Sequence, residues 1–487
     1  MEENNKLNED KETVNSKAPD EQTEKASEAK HHHWHVWIIL VVAVVLLIIA
    51  SLVPWNKLTN GKVKDFNLLS DVITTVTDST STDDGDPSQK KEEIDPELLK
   101  AEQEQEFHRQ TVADTNDTII QEVKPSRVGD LTLIEDYTSG NHGLSRFKAA
   151  LTSGRTARIA VVGDSYIEGD IMCQDLRAKM QTAYGGSGVG YMNMHSDFPG
   201  FRRSVKQGGN GWKSFMANGK CNFDFMWLAE QYFKPTGNAT ATYNGVTALP
   251  HADSWNSSKF LFIAPNNTTI SVKTGEEWEN HEITGQPGVQ CISVNAPTTS
   301  FEVKTADQQL IALGVWLDGN AGVAVDCMSS RGFSGITLTK ISAELCRQMA
   351  EFVDYDLIIL EFGINAMSAN QTNYSVYQSR MVDVINHVRK CYPRADILLM
   401  GVGDRGQKSG GAVHSMKSCP YMVSAQRDAA RQAHCLFWDT REAMGGEDAI
   451  VEWSKNGLAN KDYIHMTHKG GDRLATELFN ALQDALK

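Results

Sequence analysis

Two short segments carry residue types that together could support nucleophilic catalysis. The tripeptide GDS ends at Ser165, directly after an apolar run, and the tetrapeptide DYIH runs from Asp462 to His465. A serine nucleophile needs a base that takes its proton and a group that orients that base. An Asp and a His three residues apart can project from one loop in the same direction. The spacing therefore predicts that Asp462 holds Nδ1 of His465 while Nε2 faces Ser165.

Each segment also has a structural explanation. A GDS tripeptide is commonly a turn that caps a helix, and a single D-x-x-H pattern is common in surface loops. Gly163 stands two residues before Ser165, but Ile167 stands two residues after it, so the segment is not the G-x-S-x-G elbow and an α/β-hydrolase is disfavoured. His468 is the competing base, but no acidic residue stands three positions before it.

Three groups are candidates for stabilising an oxyanion. We expect the Ser165 amide at a strand end and a helix start, where the helix dipole would support it. Gly335 in SRGFSG and Asn365 in FGIN each follow a later apolar run. Glycine permits close approach of the backbone to a substrate, and an Asn side chain can donate an N–H group. A turn glycine and a loop-capping Asn are the alternative explanations.

The apolar runs that must position these residues are short and rich in Val, Ile and Leu. This composition is typical of parallel strands that are buried on both faces. The runs are RIAVVG (158–163), GVAVDCM (322–328), LIILEFG (357–363), ILLMGVG (397–403) and CLFWDT (435–440). Helical periods separate the later runs, and Asp472 to Leu486 closes the chain with another. This alternation predicts an α/β fold with a doubly wound sheet and right-handed crossovers.

One interval is too long for a simple crossover, since about 120 residues separate the first run and its helix from the second run. Its sequence alternates apolar and polar residues in FLFIAP, TTISVKT, CISVNA, SFEVKT and LIALGVWL. Period-two segments separated by Asn, Pro and Gly predict antiparallel strands. We therefore expect an inserted β-sandwich of about 100 residues.

The N-terminal quarter of the chain predicts an anchor and a spacer. Residues 36–55 form an almost uninterrupted apolar stretch with Trp residues at both ends, which predicts one transmembrane helix. The acidic tail 1–35 is too long for a signal peptide, and no A-x-A site follows, so a signal anchor is favoured. Residues 56–125 are rich in Asp, Glu, Ser and Thr and predict a solvated, flexible tether.

The charge distribution argues against nucleic acid as a partner, and the cysteine spacing argues against a metal site. The formal net charge is −15, and most of it lies in residues 1–35 and 55–125. Residues 126–487 hold 34 Lys or Arg and 37 acidic residues, without a basic tract for phosphates, so nucleic acid is not an expected partner. The eight cysteines form no C-x-x-C pair, and no metal site is expected.

In their joint order, the four blocks around Ser165, Gly335, Asn365 and Asp462–His465 resemble those of the SGNH (GDSL-type) hydrolase superfamily. The resemblance implies that Ser165 is the nucleophile and that Gly335 and Asn365 are oxyanion donors with the Ser165 amide. It also implies that His465 is the base and Asp462 its orienting acid. The family has a flavodoxin-like, five-stranded parallel sheet and needs no metal or organic cofactor. The resemblance covers about residues 126–198 and 315–487 of this chain.

Two blocks depart from the commoner family patterns, since the first reads GDSYIEGD and the third reads FGINA. Both departures keep the functional Ser and Asn, so we expect them to affect substrate choice. The long β insertion and the segment FWDTREAMGG (437–446) are similar to the peptidoglycan O-acetylesterase branch of the superfamily. In that branch the inserted domain resembles a carbohydrate-binding module.

These resemblances imply a membrane-anchored serine esterase that removes O-acetyl groups from a cell-envelope polysaccharide, with peptidoglycan as the expected substrate. The expected domains are a tail (1–35), an anchor (36–55), a tether (56–125), a hydrolase (126–198 and 315–487) and a carbohydrate-binding-like insertion (199–314). The expected location is a bacterial inner membrane, with one span and the catalytic domain facing the periplasm or cell wall.

Three other functions fit the same sequence. The residues of the site could catalyse acyl transfer, or hydrolyse a lipid ester or another acylated glycan. A non-catalytic glycan-binding anchor, with the sheet as a scaffold, is the alternative from a different class. The presence of all the Ser, Gly, Asn, Asp and His residues argues against the latter.

Overall fold

In a computed structural model of the protein, residues 127–487 are described. The expected acidic tail (1–35), transmembrane span (36–55) and tether (56–125) lie outside the described residues. None of the helices within residues 127–487 has the length and hydropathy that crossing a bilayer requires.

The described residues contain nineteen strands. In chain order these are β1 (Arg127–Val128), β2 (Leu131–Thr132), β3 (Glu135–Asp136), β4 (Thr156–Gly163), β5 (Gly188–Met192), β6 (Val205–Met216), β7 (Gln231–Gly245), β8 (Ser257–Ile263), β9 (Thr268–Lys273), β10 (Glu279–Ile283), β11 (Gln290–Val294), β12 (Ser300–Thr305), β13 (Ile311–Asp318), β14 (Gly322–Ser329), β15 (Leu357–Glu361), β16 (Asp396–Met400), β17 (Gly406–Ser409), β18 (Ala412–Ser415) and β19 (Leu436–Trp438).

Eight α-helices accompany these strands within the described residues. They are α1 (Ser145–Leu151), α2 (Cys173–Tyr184), α3 (Ala343–Ala350), α4 (Ser375–Cys391), α5 (Cys419–Gln432), α6 (Thr440–Met444), α7 (Ala449–Lys455) and α8 (His468–Ala485). Short 3₁₀ turns occur at Glu168–Asp170, Pro199–Phe201, Phe223–Phe225, Ile336–Lys340 and Ile364–Ala366. The final helix begins at His468, four residues before the expected Asp472.

The five predicted apolar runs form the parallel part of a six-stranded sheet. Its order is β14-β4-β15-β16-β19-β3, and β3 pairs with β19 in the antiparallel direction. Counted along the chain, the parallel strands therefore follow the flavodoxin-like order 2-1-3-4-5. The two-residue edge strand β3 was not predicted, because it is too short to show a periodic pattern.

Both faces of the parallel sheet are buried, which explains the uninterrupted apolar runs. In β4, Ala160 and Val162 belong to a core shared with residues of α3, α4 and α5. Ile159 and Val161 point to the opposite face and pack in a second core with residues of α2 and α8. Helices thus cover both faces of this sheet, as expected for a doubly wound α/β fold.

The second sheet is antiparallel and barrel-like, and it contains all five predicted period-two segments. Its order is β10-β9-β12-β7-β13-β8-β11, with β5 on β13 and β6 on β7. Hydrogen bonds thus join nine strands into one sheet, where the sequence predicted a sandwich of two. The long β6–β7 pair was missed because its many Gly, Asn and Thr residues obscure the alternation.

The antiparallel sheet also takes strands from outside the expected insertion. β5 lies within residues 126–198, which the sequence assigned to the hydrolase, yet it pairs with β13. Residues of β13 after 314 pair with β5 and β8 in the same sheet. The domain boundaries at 199 and 314 stay a prediction, but hydrogen bonding continues across both of them.

Candidate active site

Ser165 lies in the loop that follows the central strand β4. Strands β14 and β15 flank β4, so its carboxyl end faces the crevice where open α/β sheets bind ligands. The Glu168 amide donates to the Ser165 carbonyl at 3.3 Å, and a 3₁₀ turn spans Glu168–Asp170. The α-helix begins only at Cys173. The expectation of a helix start at Ser165 is therefore wrong, and no α-helix dipole acts directly on its amide.

The D-x-x-H segment is folded into a closed turn before α8. The Asn460 amide donates to the His465 carbonyl at 2.8 Å, and the Tyr463 amide donates to the Asn460 carbonyl at 3.1 Å. Tyr463 has a positive φ of 56°, which reverses the chain between the two polar residues. Oδ1 of Asp462 accepts the amides of Ile464 at 2.9 Å and His465 at 3.1 Å. Oδ2 is thereby left to face the imidazole.

The structure brings Ser165, His465 and Asp462 together in a hydrogen-bonded chain. Ser165 Oγ lies 2.9 Å from His465 Nε2, and His465 Nδ1 lies 2.8 Å from Asp462 Oδ2. Burial raises the pKa of Asp462, but hydrogen bonds from His465 and the backbone amides outweigh it, so the pKa lies below its ordinary value. An ionised carboxylate only accepts hydrogen bonds, so Nδ1 carries the imidazole proton. Nε2 is then free to accept the Ser165 proton.

His468, the competing base, has a different environment. It begins α8, and its Nδ1 lies 3.4 Å from Nε2 of Gln174. Burial lowers the pKa of His468, and the nearby Arg203 guanidinium lowers it further. The imidazole within hydrogen-bonding distance of Ser165 is therefore that of His465.

A pocket of about 500 Å³ opens over the triad. Ser165, Asp462 and His465 line it and are all partly exposed. Phe201, Arg203 and Arg331 line the same pocket, and the Arg331 guanidinium lies 3.0 Å from Oε2 of Glu168. The Ser165 hydroxyl thus faces a space that can admit a small ester.

The two remaining candidates, Gly335 and Asn365, are buried and do not line this pocket. Gly335 caps the Ile336–Lys340 turn in the left-handed conformation, with φ 88°. A Cβ there would lie 2.7 Å from the Phe362 ring, so both backbone conformation and space require glycine. Nδ2 of Asn365 donates to Phe333 O at 2.8 Å and to Asp164 Oδ2 at 3.1 Å. The oxyanion roles of both residues stay a prediction.

Asp164 is a residue of the site to which the sequence assigned no role. Its side chain is fully buried, and it links Asn365 to the loop that carries Ser165. Oδ1 accepts the Tyr166 amide at 2.9 Å, which fixes the turn after β4. Burial raises the pKa of Glu361 well above its ordinary value, and the nearby Asp164 carboxylate raises it further. The GDS tripeptide contains Asp164, but no local pattern indicates that its partner is Asn365.

One buried group among residues 127–487 has ligand atoms close enough for a metal ion. Asp170, Cys173 and Cys327 place theirs within 4.8 Å of one another. The Asp170 carboxylate, however, accepts hydrogen bonds from Arg177 at 2.7 and 2.8 Å and from Ser204 at 2.6 Å. Burial also raises the pKa of Cys173 well above its ordinary value, which disfavours the thiolate. The residues present do not fit a bound cation.

Structural comparison relates the chain to solved esterases. A structure of a peptidoglycan O-acetylesterase in action has a TM-score of 0.60 at 22% identity, covering 72% of this chain and 99% of that one. A family two carbohydrate esterase from Cellvibrio japonicus has a TM-score of 0.25 at 11% identity, covering 58% and 98%. An acetyl xylan esterase has a TM-score of 0.25 at 18% identity, covering 33% and 81%.

The first of these likenesses shows a shared fold across most of both chains. No protein-family model matches the sequence, and comparison with curated proteins gives no significant match.

Proposed function

We propose that the protein is a serine esterase of the SGNH type that removes O-acetyl groups from a cell-envelope polysaccharide, most specifically peptidoglycan. The observation that carries the proposal is the hydrogen-bonded chain from Ser165 Oγ through His465 to Asp462, in a pocket open to solvent. A nucleophile, a base and an orienting acid in this order are the requirements of acyl transfer to serine.

The reaction begins with attack of Ser165 Oγ on the ester carbonyl. Nε2 of His465 takes the hydroxyl proton and gives it to the departing sugar oxygen as the ester C–O bond breaks, which leaves a free sugar hydroxyl and an acetylated Ser165. Water then attacks the acetyl carbonyl, with His465 again as the base, and acetate leaves. The Asp462 carboxylate stabilises the imidazolium in both steps, because its Oδ2 already accepts a hydrogen bond from Nδ1–H of His465, at an Nδ1–Oδ2 distance of 2.8 Å.

The oxyanion requires N–H donors on the other side of the carbonyl. We assign this role to the amides of Ser165 and Gly335 and to the Asn365 side chain. Nδ2 of Asn365 donates to Asp164 and Phe333, so binding of an oxyanion has to replace or share one of these hydrogen bonds. This exchange makes Asn365 an informative residue for mutation.

Two observations support the choice of an acetylated polysaccharide. The fold matches that of a peptidoglycan O-acetylesterase over 72% of this chain. The pocket opens to solvent at the partly exposed triad residues and is lined by both aromatic and charged side chains, which suits a short acyl group carried on a glycan. The anchor at 36–55 and an outward-facing position on a bacterial inner membrane belong to the same proposal, because the substrate lies outside the cytoplasm.

The proposal is tested by acetate release from O-acetylated peptidoglycan by the detergent-solubilised full chain. Ser165→Ala should reduce release to the background, while the exposed Ser153→Ala should not. Circular dichroism should show that both variants remain folded. Release that persists in Ser165→Ala would contradict the mechanism.

Acyl chain length separates this function from its alternatives. We expect p-nitrophenyl acetate to be hydrolysed faster than the butyrate and octanoate esters. A clear preference for the longer chains would favour a lipid esterase. Accumulation of newly acetylated glycan when an acceptor glycan is added would favour acyl transfer.

A further inference from the structure

One side of the pocket mouth is formed by residues 198–203, here called the rim segment. Among residues 127–487, five large hydrophobic side chains are strongly exposed, and two of them belong to this segment. Phe198 is 71% exposed and Phe201 is 44% exposed. The Phe201 amide donates to the Phe198 carbonyl at 3.0 Å, closing the turn that contains Pro199. Exposed apolar surface beside a reactive pocket indicates a ligand contact.

Phe201 is fixed in place although its ring is exposed. The ring packs on Gly169, where a Cβ would lie 2.5 Å from Cδ1 of Phe201. Its centroid lies 6.4 Å from the His468 ring at an angle of 61°. One part of the ring is therefore held by the loops of the site, and the remainder faces the pocket. A rigid aromatic ring in this position presents a flat surface for the apolar C–H face of a pyranose.

The same segment carries an arginine without a carboxylate partner in the described part of the chain. Arg203 is exposed and lines the pocket, and no acidic side chain of residues 127–487 forms an ion pair with it. Its neighbour Arg202 lies 3.4 Å from Asp170, and Arg331 across the pocket pairs with Glu168. Asp462, the other acidic residue of the pocket, is directed to His465. The Arg203 guanidinium is thus the charge available to a ligand.

We propose that the rim segment is a sugar subsite for an acidic glycan, in which Phe201 stacks on a pyranose ring and Arg203 binds a carboxylate of the same sugar. This inference rests on the proposed esterase function and specifies its substrate class. The carboxylate belongs either to a lactyl ether on the sugar or to a uronic acid. A planar guanidinium suits both, because it can donate two parallel hydrogen bonds to a carboxylate.

Four ester substrates separate the contribution of the Phe201 ring from that of the Arg203 charge and from that of ester hydrolysis itself. They are O-acetylated peptidoglycan strands freed of stem peptides, O-acetylated polygalacturonate, O-acetylated chitin oligosaccharide and p-nitrophenyl acetate. The first carries a lactyl carboxylate, the second a uronic acid, the third no carboxylate and the fourth no sugar. We expect the wild-type full chain to have a higher kcat/KM for at least one acidic glycan than for the chitin oligosaccharide.

Arg203→Gln should lower kcat/KM for the preferred acidic glycan about tenfold to a hundredfold, mainly through KM, as expected for one charge-assisted hydrogen bond. Its effect on the chitin oligosaccharide and on p-nitrophenyl acetate should stay within twofold. Lys206→Gln is the matched control, because Lys206 is exposed and does not line the pocket. Whichever acidic glycan responds identifies the source of the carboxylate.

Phe201→Ala should lower kcat/KM for all three glycans about tenfold and leave p-nitrophenyl acetate unchanged. The inference is overturned if Arg203→Gln does not change the ratio of acidic to neutral glycan hydrolysis. It is also overturned if either variant lowers all four activities equally, since the effect would then be on the triad or the fold. Failure of the proposed function has a separate signature, namely the absence of Ser165-dependent hydrolysis of any of the four esters.

Discussion

The two ends of strand β4 carry polar groups with opposite properties. At the amino end, Arg158 is buried and pairs with Asp318 at 2.6 Å and Asp326 at 3.1 Å. At the carboxyl end, Ser165 follows in a loop where it contacts His465 and faces an open pocket. The side chains of the first group are at most 6% exposed, whereas Ser165 is partly exposed and faces a pocket with room for a reacting ester. One strand thus provides both an internal anchor and a candidate nucleophile.

The buried cluster of Arg158, Asp318 and Asp326 joins the two sheets. Asp318 belongs to the antiparallel β13, and Asp326 belongs to the parallel β14. Asp326 Oδ2 also accepts hydrogen bonds from Trp316 and Tyr355, both at 2.9 Å. Burial by itself would lower the pKa of Arg158, but its two carboxylate partners raise it above its ordinary value, so it stays charged. A buried charge with this many partners is well suited to fixing the relative position of two sheets.

The largest effect on activity is expected at the carboxyl end of β4, where Ser165 contacts His465. In Asp462→Asn the side chain keeps its shape, but an amide can donate to Nδ1 and favour the tautomer that cannot accept from Ser165. We expect kcat for p-nitrophenyl acetate to fall about 10⁴-fold, less than in His465→Ala, where the base itself is lost. Asp472→Asn, on the exposed part of α8, should retain full activity. A loss below tenfold in Asp462→Asn would remove its orienting role.

A substitution at the amino end of β4 should lower the stability of the protein and leave its catalytic rate unchanged. Arg158→Met leaves Asp318 and Asp326 buried without their cation, so we expect about 3–5 kcal/mol lower unfolding free energy. Urea unfolding measures this loss, and kcat of the folded fraction should be unchanged. Arg347→Met removes an exposed pair with Glu344 and should cost less than about 1 kcal/mol. Equal effects of the two substitutions would contradict the anchoring role.

A smaller effect is expected for the buried side-chain amide of Asn365, which contacts Asp164 just after the carboxyl end of β4. Asn365→Ala should lower kcat about 10²–10³-fold with KM nearly unchanged, the usual cost of losing one oxyanion donor. It should also lower thermal stability, because Asp164 and Phe333 O lose a buried donor. Asn370→Ala, exposed in the same connection, is the control. A lower melting temperature with normal kcat would show that Asn365 has a structural role only.

The smallest effect extends the comparison to the amino end of a second strand, β16. Its first residue, Asp396, accepts the amides of Arg146 and Phe147 at 3.0 Å, yet burial raises its pKa to about 6. The folded state therefore holds a proton that the unfolded chain releases at lower pH, and stability falls as pH rises from about 4 to 6. Asp396→Asn should melt a few degrees above the wild type at pH 7.5.

At pH 4 the same variant and the wild type should melt at nearly the same temperature, because Asp396 is protonated in the folded protein and already about half protonated in the unfolded chain, where its pKa is about 3.9. The exposed Asp383→Asn is the control and should show no such pH-dependent difference. A variant that is less stable than the wild type at both pH values would show that the carboxylate itself stabilises α1.

Much of the parallel sheet could be predicted from local sequence. The runs of β4, β14, β15, β16 and β19 are apolar on both faces, so each strand was found without knowledge of its neighbours. β6 and β7 were missed because their ladder is stabilised by pairing of polar and small residues, which leaves little alternation. β5 was not predicted as a strand, since five residues cannot show which strand they pair with.

The part of the candidate site that is formed by residues close together in the sequence could be predicted. Asp462 and His465 are three positions apart, so their contact follows from one turn. The contact of Asn365 with Asp164 joins loops after two different strands, and no local pattern reports it. The rim residues Phe201 and Arg203 lie in a turn-forming segment, but their place at the pocket mouth depends on how that segment folds back on Gly169.

The sequence by itself determined which residues could react and which segments become strands, because nucleophilicity and apolar periodicity are properties of residue type and spacing. Tertiary structure decided which imidazole meets Ser165, which arginine stays available to a ligand and which is enclosed between two sheets. Those outcomes depend on distances between segments far apart in the chain, and only the packed fold sets such distances.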